Sequence, residues 1–171
     1  DYPRLAAIVG PMLTVRRVLH EQFTVLHKML LGLVRQDPVC RRLMTAPGVG
    51  PVVALTYRAA IDQPLRFAHS RAVGAQAGLT PKRVQSGETD YDVGISKTGD
   101  AMLRSTLYEA AQSLLTHGGA KWSWLRAWGM RVAQRRGMRR AIIAVARRLA
   151  VILHRMWVDQ TDFRWTKAPA D

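Results

Sequence analysis

The sequence predicts a mainly α-helical fold: a helical domain with an N-terminal coiled-coil-like arm and one long polar loop. Three observations carry the prediction. Hydrophobic residues make up 48% of the chain but aromatic residues only 7%, and Leu, Val, Ala and Arg dominate, which favours helices over a sandwich or barrel. Apolar residues recur at helical spacing in several separate segments. Gly and Pro punctuate the gaps between those segments.

Taken in order, residues 15–34 read as an amphipathic helix. Val15, Leu19, Gln22, Leu26, Met29 and Leu33 follow alternating steps of four and three, the spacing of a coiled-coil seam. A dimerising arm over residues 1–36 and an ordinary helix packed on the domain are both compatible with that stripe. Asp37 and Pro38 suit an N-cap followed by proline at the first helical position, opening a short helix to Met44. A second helix is expected over Val52–Ile61. The Ala46-Pro47-Gly48-Val49-Gly50-Pro51 turn between them gives residues 38–61 the pattern of a helix-hairpin-helix. Gly48 and Gly50 permit a tight turn whose following helix start can hold a phosphate; a plain turn between packed helices fits the same residues.

Pro64 to Ser70 reads as a connector and Arg71–Ala77 as a short helix ended by Gly78. Residues 80–99 differ in kind. This polar stretch contains two Lys, one Arg and three acids and lacks helical periodicity, with short strands expected at Arg83–Gln85 and Val93–Ser96. A polar loop this long inside a helical domain usually has a function. Basic helices are expected over residues 101–158. Asp100 is placed to cap a helix over 101–116, and a Trp-rich helix (Trp122, Trp124, Trp128) should run to about Arg136 and stop at Gly137. The last helix, Met138–Trp157, is two-sided: Ile142, Val145, Leu149, Ile152 and Met156 share one face, while Arg140, Arg147, Arg148 and Arg155 occupy an arc of roughly 100° opposite.

Charge points to a partner class. The 171 residues carry a formal net charge of +14. Residues 121–171 hold 12 Lys+Arg against 3 Asp+Glu, so the excess is concentrated at the C-terminal end. A surplus of this size predicts a polyanionic partner, and arginine is the side chain that grips phosphate bidentately. The Arg stripe, with no acid beside it, is assigned to nucleic-acid backbone contact. Trp122, Trp128 and Trp157 lie beside Leu and Val and are assigned to packing rather than base stacking. A single cysteine, Cys40, excludes an internal disulfide and suits a reducing cytosol. No apolar run is long enough to cross a bilayer and no signal peptide is visible, so no membrane partner and a cytoplasmic, nucleoid-associated bacterial location are expected. The chain opens on Asp1 rather than Met, so a fragment or a trimmed chain is expected.

An ordered string of short motifs then resembles a known family. It comprises Leu43-Met44-Thr45-Ala46-Pro47-Gly48-Val49-Gly50, Arg66-Phe67, Gly78-Leu79-Thr80-Pro81, Gln85-Ser86-Gly87, Gly94-Ile95-Ser96-Lys97-Thr98-Gly99-Asp100 with Leu103-Arg104, and the Ala-Arg-Arg-Leu-Ala run from Ala146. Each piece is weak alone; in this order and spacing they are specific. The chain resembles the C-terminal serine domain of insertion-sequence transposases whose N-terminal half is a RuvC-like DEDD domain, the bridge-RNA-guided recombinases.

The resemblance implies that Ser86 is a nucleophile that attacks a DNA phosphodiester and forms a phosphoserine link. It implies Mg2+ held by carboxylates of the RuvC-like domain and no metal site in this chain. It also implies DNA and a structured guide RNA as partners, and a homo-oligomer, dimer or tetramer, with sites shared between subunits. On that reading the isolated chain is inactive. Lys82, Arg83 and Lys97 are candidates to stabilise charge on a pentacoordinate phosphorus. Arg104 either meets phosphate or solvates its helix face. Two rivals remain open at this point: a non-catalytic nucleic-acid-binding module of helix-hairpin-helix type, and a structural dimerisation fragment built on the 15–34 helix.

Overall fold

The computed structural model describes residues 3–86, 89–117 and 123–166. Side chains are described within those spans except at residues 3–4, 83–84, 86 and 89–93. Seven α-helices and one two-stranded ribbon are present among the described residues: α1 (Pro3–Gln36), α2 (Pro38–Leu43), α3 (Pro51–Ile61), α4 (Ala72–Gln76), β1 (Pro81–Ser86), β2 (Thr89–Ile95), α5 (Ala101–Thr116), α6 (Trp124–Arg136) and α7 (Met138–Val158). The mainly helical fold expected from composition and periodicity is what forms.

The domain is organised around α7. Ten of its residues are buried, among them Ala141, Val145, Ala146, Leu149, Ala150 and Leu153. Small residues on this stripe let neighbouring helices approach closely, and α2, α4, α5 and α6 all pack on it. Tyr57 of α3 reaches across and donates its hydroxyl hydrogen bond to the Ala150 carbonyl at 2.7 Å, which satisfies a phenol that is fully buried. Its burial pushes the Tyr57 pKa well above the ordinary phenol value. Gly129 marks the tightest helix contact: a methyl group there would lie 2.7 Å from both Leu115 of α5 and Val145 of α7.

Local chemistry sets the helix ends. Asp37 caps α2, accepting from the Val39 and Cys40 N–H groups, and Asp100 caps α5 through Leu103 N–H. Ser123 caps α6 through Arg126 N–H, and Gly137, at φ 82°, separates α6 from α7. These three caps each satisfy an otherwise open helix-end donor. The sixth helix therefore starts at Trp124, and Trp122 lies outside the described residues.

Two elements are longer than the sequence pattern suggested. The first helix, Pro3–Gln36, fills the arm expected over residues 1–36 and extends the amphipathic stretch read at 15–34 through Gly10-Pro11. Its apolar repeat extends with it, so Leu5, Ile8 and Met12 continue the steps of three and four that reach Leu33. Leu30 and Val34 join its C-terminal end to the core. The polar stretch 80–99, expected as a loop with two short strands, is instead an antiparallel ribbon. Its register pairs Ser86 with Thr89 at one end and Lys82 with Val93 near the other, with an irregularity between Pro81 and Lys82. Alternation of Val84, Tyr91 and Val93 with polar neighbours supplies the β pattern that the charged residues obscure.

Candidate nucleic-acid interface

The basic residues singled out in the sequence fall into two groups, one at the ribbon and its base and one on α7. The first is the ribbon and its base. Ser86 is the last residue of β1, five residues from Pro81, roughly 17 Å along an extended strand. Its side chain and that of Arg83 lie outside the described set, as do Gly87 and Glu88. Lys82 is exposed on the same strand. Lys97 is exposed beyond β2 and adopts a left-handed backbone, φ 56°, which a β-carbon tolerates poorly.

Arg104 explains how that conformation is held. Its Nη1 donates to the Lys97 carbonyl at 3.0 Å and to the Ala77 carbonyl at 3.3 Å, while the Lys97 N–H donates to Gly78. The guanidinium thus ties the end of the ribbon to the end of α4. The sequence left Arg104 between phosphate contact and solvation; in the structure its hydrogen bonds go to loop carbonyls.

The second group lines α7. Arg147 lies along α4, its stem against Gly74. Arg140 is exposed near the helix start. Arg148 departs from the expected open stripe: its guanidinium carbon sits 4.4 Å from the Trp128 ring centre and 5.1 Å from that of Trp124. Two indoles therefore hold one cation in place, and burial lowers its pKa from the ordinary guanidinium value. Trp128 and Trp124 are neither plain core residues nor free stacking platforms.

Arg148 and Arg155 open into a cavity of about 660 Å3 whose other wall is His69, Ser70 and Arg71 at the end of the connector. No Asp or Glu lines it. Among the described residues the ion pair found is Arg58 with Asp37, at 3.6 Å; Asp159 shares the adjoining clefts with Arg155 but is not ion-paired with it.

The connector is fastened by His154, a residue the sequence reading passed over. His154 is buried on α7, with Nε2 2.9 Å from the Pro64 carbonyl and Nδ1 3.0 Å from Ser70 Oγ. A carbonyl can only accept, so Nε2 carries the proton, and in the neutral ring Nδ1 accepts from the Ser70 hydroxyl. Phe67 meets the ring edge-on at 5.6 Å. His69 takes the Ala72 N–H on its Nδ1 at 3.2 Å and so caps the start of α4. The available signal for His154 was a polar residue inside the buried stripe Ala150, Leu153, Trp157; its partners lie 84 and 90 positions away, beyond any local pattern.

The Gly48–Gly50 turn stands apart from these groups. Gly48 has φ 79°, and a methyl there would collide with the Ala110 carbonyl of α5, so close packing accounts for this glycine. Gly50 precedes Pro51, which has no N–H, and Ala54 already donates to the Gly50 carbonyl. The cleft beside the turn includes Glu109 and no Lys or Arg.

Among the described residues no three His, Cys, Asp or Glu side chains are grouped closely enough to hold a metal ion together. No described helix is long and apolar enough to cross a membrane.

Comparison with known proteins supports the coarser part of the motif string's resemblance, to insertion-sequence transposases. The family described as transposase IS116/IS110/IS902 matches residues 40–127. The transposase for insertion sequence element IS1111A of Coxiella burnetii is 34% identical over 135 residues, covering 79% of this chain and 37% of its own length. A putative transposase of Sinorhizobium fredii, y4pF/y4sB, is 33% identical over 87% of this chain and 39% of its own length. A probable family 20 transposase of Pseudomonas aeruginosa is 27% identical over 93% of this chain and 49% of its own. The chain spans less than half the length of each of these three relatives.

Proposed function

We propose, from the premise that this chain belongs to the IS116/IS110/IS902 transposase family, that it is a DNA-transposition domain that grips nucleic acid and supplies a serine nucleophile. The observation that carries the nucleic-acid reading is the cavity on α7, where Arg71, Arg148 and Arg155 converge and no Asp or Glu belongs to the lining. Cations gathered in a concave site attract phosphate. The serine reading rests on Ser86 at the far end of a ribbon whose base Arg104 anchors.

In the proposed step Ser86 Oγ attacks phosphorus of a DNA phosphodiester. A phosphoserine bond forms, the bond to the leaving strand oxygen breaks, and that oxygen takes up a proton. Lys82, Arg83 and Lys97 are the cations proposed to offset the charge of the transition state. Magnesium, when supplied by carboxylates of a RuvC-like domain, would lower the barrier to attack. A guide RNA is the proposed selector of target and donor. The partner of α1 is proposed to be a second copy of this chain, because its apolar seam is solvent-exposed along most of its length.

The test uses the full-length transposase with its RNA. Ser86→Ala should abolish strand cleavage and the covalent protein–DNA adduct while leaving DNA affinity within about twofold. An adduct that persists in Ser86→Ala overturns the nucleophile assignment. The 171-residue chain by itself should not cut DNA with magnesium present, and Ser86-dependent cleavage by it would refute the division of labour.

A further inference from the structure

The cavity between the connector and α7 has a property that the basic stripe alone does not imply: it is cationic at its ends and apolar in the middle. Arg148 and Arg155 are seven residues apart on one face of α7, roughly 10 Å along the axis. Val151 and Ile152 form the floor between them, and Trp124 contributes a wall. Arg71 adds a third cation from the opposite side.

Each component is held before any ligand arrives. Arg148 is clamped by the two indoles. Trp124 is fixed by its Nε1 hydrogen bond to the Arg164 carbonyl at 2.9 Å and by parallel packing on Phe163, 6.3 Å between centroids at 9°. His154 binds both Pro64 and Ser70, so the connector wall is pinned to α7. A rigid site loses little freedom on binding.

A double helix presents sugar and phosphate on its outside and keeps its base faces stacked within. Seated on this cavity it would meet the cations and leave Val151 and Ile152 wet. An unpaired nucleotide covers both kinds of surface, with its base on the apolar floor and its flanking phosphates on the arginines. With Arg148 on one ring of Trp124 and Phe163 packed against it, stacking on that indole is not the means of recognition.

We infer that the cavity is a subsite for an unpaired nucleotide of single-stranded DNA or RNA. Its flanking phosphates are bound by Arg71 with Arg148 on one side and by Arg155 on the other. The inference rests on the nucleic-acid reading above and adds to it the strandedness of the ligand and the residues that take it.

The experiment measures fluorescence anisotropy of oligothymidylate, oligouridylate and a duplex of equal length, over a salt series, with the full chain. Arg71→Ala and Arg155→Ala should each weaken single-strand binding roughly fivefold to tenfold, and lower the salt slope by about one. Duplex binding should fall less than about twofold in both. Ile152→Ser changes no charge; it should weaken single strands several-fold and leave the salt slope unchanged. Arg135→Ala, at the far end of α6, removes the same charge and should change single-strand binding less than about twofold. A thermal melt confirms that each variant is folded. The ratio of oligothymidylate to oligouridylate affinity identifies the DNA or RNA source. Equal losses on single strands and duplex, or an Arg135→Ala loss matching Arg155→Ala, overturn the subsite and leave a general basic surface. Wild-type binding to none of the three at low salt overturns the nucleic-acid reading itself.

Discussion

Helices α1 and α7 both carry apolar residues at steps of three and four, yet one stripe is buried and the other is not. Leu149 of α7 is fully buried, whereas Leu19 and Leu26 of α1 are each 64% exposed. Periodicity records only that a helix has an apolar face. What covers that face is a property of the surroundings: α7 is surrounded by four helices of its own chain, and α1 is attached to α2 and α3 near its C-terminal end. An apolar seam of this length left in water is a surface for association, and a second α1 matches it by construction.

The largest effects should come from the buried member of the pair. Leu149→Ala should cost about 3 kcal/mol in denaturant unfolding, the transfer term plus an unfilled cavity. Leu19→Ala, measured at high dilution, should stay within about 0.5 kcal/mol of wild type; equal losses would show that α1 is packed in the isolated chain. Conversely, Leu19→Glu with Leu26→Glu should reduce the mass of the particle in light scattering to that of one chain and leave the secondary structure intact. An oligomer that survives the double substitution excludes the seam as the contact.

Glycines sharpen the same contrast at smaller scale. Gly48→Ala meets a backbone carbonyl at positive φ and should cost roughly 2 kcal/mol or more. Gly129→Ala meets the end of Leu115, which can turn aside, and the stiffer Val145 methyl, so about 1 to 2 kcal/mol is expected. Gly32→Ala in α1 meets nothing within 4 Å and should stabilise by about 0.5 to 1 kcal/mol through helix propensity. A destabilising Gly32→Ala in thermal melts would mean that α1 has a close neighbour in the isolated chain.

A further effect, confined to alkaline pH, concerns Cys40. Burial first, and Asp37 next, lift its thiol to about 11 from 9.0, opposed by Arg58. The folded state therefore keeps a proton that the unfolded chain releases above pH 9. Stability from this group is complete below that value and lost as pH rises toward 11. Wild type should lose stability more steeply than Cys40→Ala between those limits. The native thiol should also react slowly with iodoacetamide at pH 8, and rapid alkylation there would contradict its burial.

Helices α2 to α7 were legible because their signals are local. Asp37-Pro38, Asp100 and Gly137 act within one turn of the residues they cap or stop. In the first helix the regular apolar repeat was traced only over 15–34, although it continues back through Met12, Ile8 and Leu5. The ribbon read as a loop because strand pairing joins residues such as Lys82 and Val93 that lie far apart in a polar stretch. At the site, the Arg residues of α7 could be named from their charge and spacing. Their grouping with His69, Ser70 and Arg71 could not, since that wall comes from a connector more than 70 positions earlier.

By itself, then, the sequence determined the helical class, the Asp37 and Asp100 caps, the basic surplus and the motif order that marks the family, because composition and short-range geometry suffice for each. Only the tertiary structure decided that α7 is the covered helix and α1 the open one, that Arg148 is wedged between two tryptophans, and that Arg104 holds a loop. Those outcomes depend on which distant side chains occupy the space beside a residue, and no spacing along the chain encodes that.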